Sequence, residues 1–271
     1  MSYPGATTAI DREWQRYSVA ERLARFGVYL AIVAAVVLSL RTVEVIPDFI
    51  FDAPEQIADL LQRMWPPDVA SYPQEIHAAL LDSLHIATVG TVLGVVMALP
   101  FGFLAARNVT PWPWLNWAAR LVLISTRSIN TLVFALFFVA VFGPGALAGT
   151  LAIAFHSIGF VGRLFSEALE NTSPGPIEAL RAAGAPGVSV ISFGYWPQVV
   201  PAFWSLVLFR WDINVRESIV LGLVGAGGVG MALDNALNLF QWPRVSMVLL
   251  AILGVVIAAE VVVTYIRKKI I

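Results

Sequence analysis

The residues best equipped for chemistry lie in and beside apolar runs, where ionised side chains are expensive and rarely idle. Arg210, Asp212, Asn214, Arg216 and Glu217 fall at the end of one such run. Two guanidinium groups, an amide and two carboxylates at this spacing suit either of two arrangements. One is a closed ion-pair network. The other is a set of charge-assisted donors facing something in transit. A second cluster, Ser125-Thr-Arg-Ser-Ile-Asn-Thr131, opens or interrupts another apolar run, and there Arg127 also suits a snorkelling anchor. A third, His156-Ser157, sits within a fourth run with Arg163 further on. A histidine in that setting serves as a helix–helix hydrogen-bonding group or as a ligand to a passing solute.

Several other chemistries are excluded. The chain has no cysteine and three widely separated histidines, so neither a thiol nucleophile nor a structural zinc site is expected. No Ser-His-Asp set, paired-carboxylate site or HExxH occurs, and no Gly-x-x-x-x-Gly-Lys-Ser/Thr cradles a phosphate. Gly225-Ala-Gly-Gly-Val-Gly230 matches a dinucleotide fingerprint in letters only. The chain enters another apolar run at Val245, where a βαβ unit would need a second strand. Gly225, Gly227, Gly228 and Gly230 are better read as a place of close backbone approach.

Composition decides what positions these groups. Of 271 residues 58% are hydrophobic and 13% charged, with mean hydropathy +0.78. Soluble domains carry about 25% charged residues. The fold class is therefore an all-α membrane protein, and the net charge of −1 argues against nucleic acid as a partner. Six spans are expected, at Phe26–Leu40, Ile86–Ala106, Leu115–Phe142, Ala146–Phe165, Val199–Asn214 and Val245–Ile266. The third is interrupted by Arg120, Arg127 and Asn130. Its first part suits the interface, with the true span starting near Thr126. Residues 1–25 read as a cytoplasmic tail and 26–271 as one transmembrane domain. No cleavable leader is evident, and the first apolar run reads as a retained span.

With the N-terminus inside, eleven basic residues face the cytoplasm and four face outward, which sets the orientation and places both termini inside. Between the second span and the first lies an acidic segment, Arg41 to His85. Its Ile57, Leu60, Leu61 and Met64 recur at helical spacing, as on a surface amphipathic helix. Gly90, Gly94, Ala98 and Gly102 recur every four residues on the second span. Such a ladder permits close helix approach, within one subunit or across a dimer seam.

The polar stretch Pro174 to Pro201 joins the fourth and fifth spans on the cytoplasmic side. It reads as a short helix with Pro176 in the first helical position and Glu178 in the first turn. Gly184 ends it in a left-handed conformation, and Pro186 forbids continuation. A helix of roughly two turns is unstable alone and needs support.

These residues carry a resemblance. Glu178-Ala179-Leu180, then Gly184, Gly194 and Trp196-Pro197 fall on the spacing of the EAA loop of bacterial ABC importer permeases. Two blocks, Thr126–Leu136 with Gly143–Glu167 and Tyr195–Phe203 with Arg210–Gly230, resemble the permease subunit of phosphonate importers. Asn130 stands where that family has proline. The resemblance implies a MetI-like type I importer fold in a bacterial inner membrane. It also implies a homodimer of this chain, two ATPase subunits that carry ATP and magnesium, and an extracytoplasmic phosphonate-binding protein. The cytoplasmic loop, about 166–198, would then hold the coupling helix, with Pro176, Ile177, Glu178, Ala179, Leu180, Arg181, Ala182 and Gly184 meeting the ATPase. This chain would hold no cofactor and would not itself be an enzyme. Ser128, Asn130, Arg210, Asn214 and Arg216 would supply donors along the route of a phosphonate or related phosphorus oxyanion. Permeases for methionine, metals or osmolytes share the loop, and a secondary transporter would do without it.

Overall fold

The computed structural model describes residues 17–42 and 47–270. Most of the expected N-terminal tail, with Arg12 and Arg16, lies outside them. The described residues are almost wholly helical and contain no strand. They divide at Ala58–Asp59 into two units. The first holds α1 (Val19–Thr42). A reciprocal capping box starts it: Ser18 N donates to Glu21 Oε2 at 2.9 Å, and Glu21 N donates to Ser18 Oγ at 3.3 Å. The helix therefore begins seven residues before the expected span. Its apolar side chains are exposed all round, as suits a helix solvated by lipid. Next comes α2 (Pro47–Met64), the amphipathic helix expected from Ile57, Leu60, Leu61 and Met64.

The second unit is built on two long helices, α3 (His77–Ala105) and α6 (Ala146–Glu170). A π-helical turn, Tyr72–Ile76, leads into α3. That helix starts well before the expected Ile86, because Asp82 and His85 point outward while Leu80 and Ser83 turn inward. The small-residue ladder packs within the subunit. A Cβ on Gly94 would stand 2.6 Å from Ser157 Cβ and 2.8 Å from Ala154 O. One on Gly102 would meet Phe165 Cδ1 at 2.6 Å, and one on Gly90 would meet Ile153 Cγ2 at 2.8 Å. All four neighbours are on α6, so the two backbones are as close as their missing side chains allow.

The expected third span is broken. Helices α4 (Pro113–Ser128) and α5 (Thr131–Phe142) meet at 86°. The break falls at Ile129-Asn130, a few residues after the expected Thr126. With 12 residues, α5 is about 18 Å long, too short alone for a hydrocarbon core of about 30 Å. On α4 one face buries Asn116, Ala119 and Leu123, while Trp114, Trp117, Leu121 and Ile124 are exposed. An interfacial helix has this division.

After α6 come α7 (Pro174–Ala182), the single turn α8 (Gly187–Ser189) and a π-helical segment, Val190–Tyr195. They lead into α9 (Trp196–Gly222), then α10 (Val229–Asn238) and α11 (Trp242–Ile270). Among the described residues four helices are long and apolar enough to cross a membrane, or five if α4 and α5 count as one bent span. The fifth expected span, Val199–Asn214, lies in α9. That helix has the length, at 27 residues, but its second half carries Arg210, Asp212, Arg216 and Glu217, so composition alone does not mark it.

The α3–α6 seam yields a direct test. Gly94→Val should destabilise the protein by about 1–3 kcal/mol through overpacking, read as a lower thermal midpoint in detergent. Gly254→Ala, where nothing lies within 4 Å of the added Cβ, should leave the midpoint unchanged or raise it.

Candidate functional site

Helical periodicity divides the polar cluster of α9 in two. Residues 210, 214 and 217 share one face, and 212 pairs with 216 one turn away. Arg210 is 2% exposed and Asn214 is fully buried. Arg210 Nε donates to Ser157 Oγ at 3.0 Å and Nη2 to Glu217 Oε2 at 3.2 Å. The same Glu217 oxygen accepts from Thr131 Oγ1 at 3.0 Å. Asn214 Nδ2 donates to Thr91 Oγ1 at 2.7 Å and to Ser157 Oγ at 3.3 Å. Thr91 Oγ1 in turn donates to Ala87 O at 2.6 Å. One polar network thus joins α3, α5, α6 and α9. Arg216 pairs with Asp212 beside it. The ion-pair arrangement expected as one of two alternatives is therefore present. In this structure Arg210 and Asn214 lie behind the surface, not on an open route.

The network has one open side. A pocket of about 330 Å³ is lined by Asn130, Thr131, Leu132, His156, Arg216, Glu217, Val220 and Leu221. His156 Nδ1 lies 3.0 Å from Ile129 O, a contact in which the ring nitrogen must donate. Asn130 caps α5: its Oδ1 accepts from Leu132 N at 2.9 Å, and its φ of −65° is the value a proline ring enforces. Asparagine thus keeps the backbone shape of the expected proline and adds a cap. Ser128 is elsewhere. Its Oγ donates to Ile124 O at 2.8 Å, and it lines a separate cavity of about 390 Å³ with Arg127 and Arg163. Of the five expected route residues, the structure brings Asn130 and Arg216 to the pocket, with Arg210 and Asn214 behind it. Thr131, Glu217 and Thr91 belong to the assembly but not to the expected set. Glu217 follows Asn214 by three residues and Thr131 follows Asn130 directly, so a helical-face reading would have found both.

At one end of α6 lies the loop helix α7. It starts at Pro174, not at Pro176, so Glu178 falls in the second turn and not the first. The later proline has no amide to lose there, since the first turn's donors are unpaired anyway. The C-terminus ends as expected. Gly184 has φ +76°; its N donates to Arg181 O and Ala185 N donates to Leu180 O, both at 3.0 Å. Those two bonds form a Schellman closure. Ile177 and Leu180 turn inward, into an apolar cluster that also holds Phe165, Val190 and Tyr195. Gly194 supplies the floor, since a Cβ there would lie 3.2 Å from Leu180 Cδ1. Tyr195 OH donates to Asn108 O at 3.0 Å and Ser173 N donates to Gln198 Oε1 at 2.9 Å, which tie the loop to the bundle. Glu178, Ala179, Arg181, Ala182 and Gly184 remain outward, with Pro176.

The glycine-rich segment packs against the other end of α6. A Cβ on Gly227 would stand 2.7 Å from Ala146 N, and one on Gly230 2.0 Å from Ile219 O. Gly228 has φ +75°, and its Cβ would meet Ser83 Oγ at 2.3 Å; that hydroxyl accepts from Val229 N at 2.8 Å. The glycines allow backbone to lie on backbone, as expected. Gly225 has Pro144 Cβ 3.5 Å from its would-be Cβ.

Residues 98–271 match the model of the binding-protein-dependent transport system inner membrane component family. The chain belongs to that family. A phosphite transport system permease protein, PtxC of Stutzerimonas stutzeri, is 41% identical over 212 residues, which cover 78% of this chain and 77% of that one. A phosphate-import permease protein, PhnE of Mycolicibacterium smegmatis, is 39% identical over 234 residues, which cover 86% of this chain. The match spans only 44% of the length of that relative. Among solved structures, the MetNI methionine ABC transporter in an inward-facing conformation aligns with TM-score 0.63 at 21% identity, over 72% of this chain and 96% of that chain. That likeness establishes the fold, a MetI-like type I importer permease. This permease is thus a multi-pass membrane component whose relatives are transport subunits, not enzymes.

The buried half of the network should be structural. Asn214→Leu removes the donor shared by Thr91 and Ser157 and should cost about 1–3 kcal/mol in detergent unfolding. Arg216→Gln, at the half-exposed partner of Asp212, should cost less than about 1 kcal/mol in the same measurement.

Proposed function

We propose that this chain is the permease subunit of an ATP-driven importer for phosphonates or related phosphorus oxyanions such as phosphite. The observation that carries the substrate class is the 41% identity to a phosphite permease across 78% of the chain. A pocket rich in donors, with Asn130, Thr131, His156 and Arg216 on its wall, is compatible with an oxyanion.

In this reading two copies of the chain form the route through the membrane. ATP and magnesium are held by two ATPase subunits on the cytoplasmic side, each seating one α7 through Glu178, Ala179, Arg181 and Ala182. The excess of basic residues puts both termini and α7 on that side. An extracytoplasmic binding protein delivers the anion near the glycine-rich segment, at the opposite end of α6. When ATP draws the ATPases together, α7 moves with them. Motion passes from Ile177 and Leu180 into the apolar cluster they share with Phe165 of α6, and through the π-helical segment to α9. Because α9 also carries Arg210, Asn214, Arg216 and Glu217, the same displacement alters the pocket.

The test is reconstitution of the permease with its ATPase and binding protein in proteoliposomes, with phosphite and methylphosphonate as probes. Uptake should require ATP and the binding protein. Glu178→Arg and Gly184→Pro should each lower the amount moved per ATP hydrolysed by about tenfold or more, about 1.4 kcal/mol of lost coupling, while the chain still inserts. Uptake by the lone chain on an ion gradient, or full coupling in both variants, would overturn the assignment.

A further inference from the structure

We infer that the Glu217 carboxylate is an internal stand-in for the transported oxyanion: it occupies the donors of Thr131 and Arg210 until the substrate displaces it. This rests on the reading of the chain as an oxyanion permease and deepens it.

Three observations converge on Glu217. One of its oxygens accepts from two donors on different helices, Thr131 Oγ1 of α5 and Arg210 Nη2 of α9. Its side chain is 27% exposed, whereas that of Arg210 is 2% exposed. The carboxylate therefore forms the lid over a buried cation. Finally, it lines the pocket from which Asn130, His156 and Arg216 also face inward. A carboxylate and a phosphorus oxyanion take the same kind of charge-assisted hydrogen bond. An oxyanion entering the pocket meets the two donors that Glu217 already holds.

Charge balance explains why the stand-in is needed. A guanidinium within an apolar bundle must be neutralised, or its burial costs several kcal/mol. Arg216, half-exposed, has Asp212 beside it. Arg210 has Glu217. With the pocket empty the two cations are balanced. An arriving anion must compete with Glu217 for Arg210, so it is held weakly and can leave. The competition also breaks the Thr131–Glu217 bond, which is the polar tie between the start of α5 and α9. Occupancy of the pocket thereby loosens α5, the shorter half of the bent pair, at its first residue.

A purely structural role predicts something different, since the pair would then only hold helices together. Glu217→Gln separates the two. Glutamine keeps the acceptor for Thr131 but leaves Arg210 without counter-charge. In the reconstituted complex the KM for phosphite or methylphosphonate should fall about fivefold and kcat should fall comparably, because the anion is retained. Inorganic phosphate and sulfate should become inhibitors of the variant at concentrations that leave the unmodified protein unaffected. An unchanged or raised KM without oxyanion inhibition would overturn the inference, as would a lower thermal midpoint accompanied only by loss of kcat. If Glu217→Gln does not accumulate, Glu217→Asp withdraws the carboxylate from both donors, and the same tightening is expected at smaller size. An unchanged or raised KM there counts equally against it. Failure of the unmodified complex to move either probe would instead strike the proposed function.

Discussion

A guanidinium buried in a bundle of apolar helices must be surrounded by partners, and that requirement organises this molecule. Arg210 is too far inside to reach water, so its donors are met by Ser157 of α6 and Glu217 about two turns along α9. Ser157 and Glu217 are themselves shared with Asn214 and Thr131, and Asn214 reaches Thr91 on α3. Four helices are therefore tied together by one polar network built around a single cation. Apolar packing alone is tolerant of such rotations, because lipid solvates leucine as well as a neighbouring helix does.

The network is possible only where helices approach closely. Short side chains such as serine and threonine span a helix pair only if the backbones nearly touch. The glycines of α3 provide that on the α6 side: Gly94 faces Ser157 itself, one turn from Thr91. The same device recurs where Gly222 and Gly230 cross, with Gly230 Cα 2.5 Å from the would-be Cβ of Gly222. Glycine and buried polar groups are therefore two halves of one design, the first setting the spacing and the second setting the register.

The two ends of α6 divide the remaining work. At its C-terminus the loop helix α7 is anchored by two apolar residues and closed by Gly184, leaving a polar face outward. At its N-terminus the glycine-rich segment is laid on backbone, with Ser83 accepting from Val229. A helix of 25 residues, about 38 Å by its rise, connects them as one stiff element. The same helix carries Ser157 and His156 between those two ends.

The amino-acid order by itself determined the helical, membrane-embedded class, since burial of so many apolar residues with so few charges leaves no other solvent. It also determined the punctuation of α7 at Gly184, because a left-handed closure is a local property of one residue. The close approach at Gly225–Gly230 was legible for the same reason, as was the amphipathic α2. Helix starts were less legible: α1 and α3 begin earlier than the apolar runs suggest, since polar residues are accepted on an outward face, and α7 begins at Pro174 and not at Pro176. Only the tertiary structure decided which way the polar cluster of α9 divides. Arg210 and Asn214 went inward and Arg216 toward the pocket, because those outcomes depend on the rotation of α9 against α3 and α6, while Ser128, on α4, went to another cavity. It also decided that the ladder on α3 packs within the subunit and that the third span breaks at Ile129-Asn130. Long-range partners such as Thr91 and Ser157 are invisible in local patterning, since each lies more than fifty residues from the groups it satisfies.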